Sequence, residues 1–166
     1  MRLHSRSRSR EKALKCELAA EIVRGFGSLR LQVTGQSMLP SVWPGDVLLI
    51  KRCRIGEISS GDIVLYAREG RLFAHRVICA APDREKARLV TRGDGLPSQD
   101  FPVSAEELLG RVSQIVRDGK CDAPPSSLTP KNKLVASAVR FSAIAARLIV
   151  YLYVTRSNSG KREALC

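Results

Sequence analysis

Apolar residues recur at helical spacing near both ends of this chain and at a period of two through its middle. Between Glu17 and Phe26 they fall at Leu18, Ala19, Ile22, Val23 and Phe26, the stripe of a short amphipathic helix that Gly25 and Gly27 loosen. From there to Val116 the pattern favours strands, in runs bounded by turn residues: Leu29–Val33, Val47–Lys51, Asp62–Tyr66, Leu72–Ile78, Arg88–Val90 and Gly110–Val116. Such short, regularly punctuated runs predict a mainly β domain, a coiled antiparallel sheet or partly closed barrel behind a short N-terminal helix. Ser104-Ala105-Glu106-Glu107 predicts a capped helical turn ahead of Leu108. Residues 119–132, with Pro124, Pro125, Ser126, Ser127 and Pro130, read as a linker. Helical spacing then returns over residues 133–155, from Val135, Val139 and Phe141 to Leu152 and Val154. A stretch of that length can span a bilayer, but Arg140 and Arg147 inside it favour a C-terminal amphipathic helix lying in the interface or packing on a partner. Docking back on the β domain is the other reading. A polar tail, residues 156–166, follows.

Charge adds a segment that hydropathy alone misses. Against Glu11, residues 1–16 set Arg2, Arg6, Arg8, Arg10, Lys12 and Lys15, in a run too polar to pack and without the apolar centre of a signal peptide. They predict a disordered basic arm, with the β domain and its leading helix spanning residues 17–118. Across the chain, 28 Lys and Arg against 16 Asp and Glu give a net charge of +12, which favours a polyanionic surface, either lipid headgroups or nucleic acid. With 166 residues, the chain supports one modest core with appendages. Its five cysteines form no C-x-x-C pair and no metal-like spacing with histidine, so no disulfide framework, metal or cofactor is expected.

The candidate chemistry starts at Thr34-Gly35-Gln36-Ser37-Met38-Leu39-Pro40, where a serine stands between a glycine turn and a proline and a buried strand follows. A hydroxyl at a sharp turn, where backbone N–H groups converge, is what serine nucleophilic catalysis requires. Of the two histidines, His4 lies in the basic arm and His75 in the strand Arg71–Ile78, so His75 is the candidate base. The Gly/Pro-rich tract Thr91–Asp100 offers Asp94 and Asp100 as the group that orients the imidazole. Gly45-Asp46 and Gly61-Asp62 read as turn chemistry, and Met38 and Trp43 as core or rim packing.

Ser37-Met38-Leu39-Pro40, Gly45-Asp46, Gly61-Asp62-Ile63-Val64, His75-Arg76-Val77, and Gly93-Asp94 with Asp100 occur in that order over residues 31–112. In this ordered set the chain resembles the signal peptidase I family, in the branch of archaea and the endoplasmic reticulum that uses histidine where the better-known bacterial branch uses lysine. The resemblance implies a signal-peptidase-type fold with Ser37 as nucleophile, His75 as base and Asp100 as orienting carboxylate. Asp94 would brace the loop or stand as the alternative third member, and Met38 and Pro40 would lie near the substrate. One departure is Gly35, where many signal peptidases carry a serine whose hydroxyl helps bind the oxyanion. The oxyanion hole then rests on backbone N–H groups, chiefly that of Ser37, an arrangement more similar to the self-cleaving SOS repressors.

The function this implies is serine endopeptidase cleavage of a protein or peptide precursor, with small residues preferred just before the scissile bond. Membrane contact through residues 1–16 and 133–155 is expected, nucleic acid is the less favoured partner, and a membrane-associated location is favoured over a cytoplasmic one. Familiar signal peptidases carry an N-terminal membrane anchor, and none is evident here. A repressor-like autoprotease would need a helix-turn-helix domain, for which only about thirty residues precede the match. A non-catalytic peptidase-like module, recruited by its basic segments, is the alternative from another functional class.

Overall fold

In the computed structural model, which describes residues 2–81, 88–141 and 151, helix α1 (Arg2–Phe26) leads into an antiparallel sheet. The strands are β1 (Ser28–Gln32), β2 (Val47–Lys51), β3 (Ile63–Arg68), β4 (Arg71–Ala81), β5 (Arg88–Arg92), β6 (Leu108–Arg117) and β7 (Lys120–Asp122), and helix α2 (Pro130–Phe141) follows. The sheet order is β1-β2-β6-β3-β4-β5, with β7 paired to β6, and the sheet does not close. The predicted mainly β fold with a helix at each end is therefore present, as an open coiled sheet of seven strands.

Strand β3 explains how the sheet holds two cores. Its side chains alternate between faces, so Ile63 and Leu65 join Leu48, Ile50, Val112 and Ile115 on one side, while Val64 and Tyr66 join Val77, Leu89 and Val103 on the other. Buried on both faces, this strand reads as an unbroken apolar run. Helix α1 covers the first core with Cys16, Ala19, Ala20 and Val23, which recur at helical spacing, and it ends where the Gly27 N–H reaches the Val23 carbonyl.

Three local expectations meet a different outcome. Residues 2–16, predicted as a disordered arm, continue α1 without a break. Arg, Lys, Leu and Glu are good helix formers, Lys15 pairs with Glu11 one turn away, and a helix already docked from Cys16 onward needs no second nucleus to extend. The first residues of the predicted linker form β7, because Asp118 and Gly119 both take positive φ and close a two-residue hairpin onto β6. The C-terminal helix starts at Pro130 instead of 133, capped by Thr129, whose hydroxyl accepts the Asn132 N–H. Within the described residues Ala136 is buried, so this helix docks on the β domain. Residues 142–150 and 152–166, including most of the expected membrane-contacting stretch and the polar tail, lie outside the described residues. Among the described residues, no helix is long and apolar enough to cross a membrane.

Candidate active site

His75 and Arg76 are neighbours on β4, so strand geometry sends their side chains to opposite faces of the sheet. His75 lies opposite Val64 and shares a face with Tyr66, Phe73 and Val77 above the second core. There it is nearly enclosed, at 3% exposure, with its ring edge-on to both Tyr66 and Phe73. The rigid strand and the two aromatic rings fix the imidazole plane before any polar partner is considered.

Those partners come from two loops. Ser37 Oγ lies 3.0 Å from His75 Nε2, and Asp100 Oδ2 lies 2.7 Å from Nδ1. Burial pushes the Asp100 carboxyl up, but hydrogen bonds from His75, Thr91 and Tyr66 together outweigh it and hold the group below the usual carboxylate range. An ionised carboxylate only accepts, so Nδ1 carries the ring proton and Nε2 presents its lone pair to the Ser37 hydroxyl. The Thr91 hydroxyl donates to the same Asp100 oxygen at 2.7 Å, and the Asp100 N–H is fixed to the Thr91 carbonyl. Behind the loop Arg68 is paired in bidentate fashion with Glu107 and donates to the carbonyls of Phe101 and Pro102.

On the opposite face, Arg76 builds a second cluster. Its Nε and Nη2 each reach one Asp94 oxygen at 2.8 Å, Nη2 also reaches Ser41 Oγ, and Nη1 donates to the carbonyls of Gly61 and Pro125. All five guanidinium hydrogens are thereby engaged. Ser41 Oγ donates to Asp94 in turn. Asp94 is thus committed to a buried ion pair beneath the turn that carries Ser37, and Asp100 is the carboxylate that meets His75.

The turn bearing Ser37 is held by backbone. The Gly95 N–H bonds the Ser37 carbonyl at 2.9 Å, and a Cβ on Gly93 would fall 2.5 Å from that same oxygen. Among the described residues the Ser37 N–H donates to no backbone carbonyl. Met38 and Pro40, expected near the substrate, are buried, and Met38 packs with Leu48 and Ile50 in the first core. They support the turn from below. The two Gly-Asp segments are turns of one design, in which Asp46 accepts the Trp43 N–H and Asp62 the Ser59 N–H.

A family model described as Peptidase S24-like matches residues 6–113, more than half of the chain. The chain belongs to the Peptidase S24-like family. That superfamily is shared by signal peptidase I-like proteins and the self-cleaving SOS repressors, in agreement with the resemblance read from the motifs. No curated protein matches this chain. The S24-like match takes in Ser37, His75, Asp94 and Asp100 and ends before β7 and α2.

The motif reading gave no role to four supporting residues of this S24-like site. Tyr66 places its hydroxyl 3.5 Å from His75 Nδ1, beside Thr91 and Asp100, and burial with the nearby Asp100 charge pushes that hydroxyl up to about 12. Held protonated near neutral pH, it remains a neutral hydroxyl able to donate or accept a hydrogen bond. Tyr66 sits in an apolar strand and looks like core, and Thr91 reads as one more polar residue at the start of the Gly/Pro-rich tract. Arg68 and Arg76 look like solvated charge, since only the fold brings Glu107 and Asp94 to them.

Proposed function

We propose that this protein is a serine endopeptidase of the signal peptidase I type that cleaves a protein or peptide precursor. The observation that carries the reading is the continuous line from Ser37 Oγ through both ring nitrogens of His75 to Asp100, at 3.0 and 2.7 Å. In this mechanism His75 Nε2 takes the hydroxyl proton as Ser37 attacks a peptide carbonyl, and Asp100 stabilises the imidazolium that forms. The oxyanion is met by the Ser37 N–H, a donor of a kind worth about 3–4 kcal/mol in the transition state. The imidazolium then protonates the leaving amine, and water resolves the acyl-enzyme by the reverse sequence. Gly35 favours a second reading, self-cleavage, because it matches the SOS-repressor pattern in the position where many signal peptidases carry a hydroxyl.

The deciding experiment compares protein N-termini, including those of the chain itself, in native cells expressing wild-type, Ser37→Ala or His75→Ala protein at equal levels. The endopeptidase reading expects one set of termini in other proteins to vanish in both variants. Termini lost only within the chain would favour self-cleavage. An unchanged set in both variants would sink catalysis and leave the non-catalytic binding module.

A further inference from the structure

We propose that the segment from Pro125 to Phe141 is a strap that holds the nucleophile turn in place, with Arg140 and Val139 as positioning residues for Ser37. The inference rests on the peptidase reading and extends it to a part of the chain beyond the S24-like match, which ends at residue 113.

The strap touches the site's support at four points. The Pro125 carbonyl takes an Arg76 Nη1 hydrogen that no other group in the cluster accepts. Next to it the Ser126 backbone lies so close to Gly61 that a Cβ there would come within 2.6 Å of the Ser126 oxygen. Helix α2 then buries Ala136 and sets Val139 against Gly95, where a Cβ would meet Val139 Cγ1 at 3.0 Å. Finally Arg140 Nε donates to the Asp94 carbonyl at 3.1 Å. From these points the path to the nucleophile is one residue long. Gly95, packed on Val139 and following Asp94 in the chain, is the residue whose N–H holds the Ser37 carbonyl.

The loop carrying Gly93, Asp94 and Gly95 is thus gripped from both sides. Arg76 and Ser41 fix the Asp94 side chain from within the β domain, and Arg140 and Val139 fix its backbone from the strap. With two glycines in three residues, this loop has little stiffness of its own. Releasing the strap side frees the Gly95 N–H to drift, and with it the Ser37 carbonyl and the angle at which the hydroxyl meets His75. Small misplacements of a reacting group carry large rate penalties.

The test uses full-chain Arg140→Ala, Arg140→Lys and Val139→Asp, with Leu134→Ala on the exposed face of α2 as control. Two quantities are measured: the rate constant for covalent labelling of Ser37 by a fluorophosphonate, and amide hydrogen exchange along the chain. Arg140→Ala is expected to slow labelling about tenfold, the scale of one partly buried hydrogen bond, with a larger loss for Val139→Asp and partial recovery for Arg140→Lys. Exchange should quicken at residues 36–39 and 93–96 while β3 and β6 stay protected. Wild-type exchange at both loops in Arg140→Ala would overturn the strap, and so would a uniform rise across the sheet, which marks simple destabilisation. If wild-type protein takes no label, the peptidase reading fails by itself, and the exchange pattern still decides the strap.

Discussion

Asp94 and Asp100 are six residues apart in one loop, yet their replacement by asparagine should fail in opposite ways. Asp94→Asn keeps the shape of the side chain and removes its charge, leaving the buried Arg76 guanidinium without a counter-ion and turning an amide NH₂ toward a donor. Breaking a buried pair from one side costs about 3–5 kcal/mol. For a chain of this size each kcal/mol moves the melting midpoint by about 2–4 °C, so the expected drop is roughly 6–20 °C. Asp100 is less enclosed, and its loss removes the bonds from Thr91 and His75 at about 1–2 kcal/mol. The same change lets His75 adopt the tautomer with the proton on Nε2, which lowers turnover by about 10⁴-fold where a comparable triad holds. Trp43, the single tryptophan, stands beside the Asp46 turn just past Ser37 and reports unfolding by fluorescence in urea. Fluorophosphonate labelling below the denaturation range reports the site. An Asp94→Asn midpoint equal to wild type, or an Asp100→Asn protein that unfolds first, would refute this division of labour.

Gly93→Ala puts a methyl group 2.5 Å from the Ser37 carbonyl and should slow labelling at least about tenfold, a loss that Gly35→Ala, with open space around it, does not share. Tyr66→Phe keeps the ring stacked on Phe73 and removes only the hydroxyl, so turnover should fall about three- to tenfold with KM unchanged; an unaltered turnover excludes a role for that hydroxyl. Asp100, whose folded-state carboxyl is held below its unfolded value, contributes stability that is present above the unfolded pKa, about 3.9, and is lost as pH falls through the folded value. Acid titrations of unfolding in wild type and Asp100→Asn should therefore converge as pH falls below that range, and parallel curves would contradict the sign.

Ser37, His75 and both candidate carboxylates could be picked out of the sequence because each sits in a short local motif, a turn for Ser37 and the aspartates and a strand for His75. Choosing between the carboxylates was not possible from it, since Arg76 finds Asp94 across the sheet and nothing in the spacing of Arg76 to Asp94 announces a contact. The strands were legible wherever one face is wet, and β3 was still readable through its β-branched and aromatic run. Strand β7 was missed although Arg117-Asp118-Gly119-Lys120 holds a strong hairpin signal, because the prolines just beyond it pulled the whole stretch toward a linker. The extension of the amino-terminal helix over residues 2–16 was missed for a different reason. Serine and arginine in alternation have no apolar stripe, and continuation from an already docked helix is invisible to a window that ends at Glu17.

His75 and Arg76 are consecutive residues of β4, so the candidate site is written in the register of the β3–β4 pairing as much as in residue identity. That register is set at the Glu69-Gly70 turn, where both residues take positive φ and Arg68 faces Arg71. One residue inserted or lost there forces a bulge, or else turns His75 toward Asp94 and Arg76 toward Asp100. Among descendants of this sequence, that turn should tolerate side chains that accept positive φ far better than changes of length.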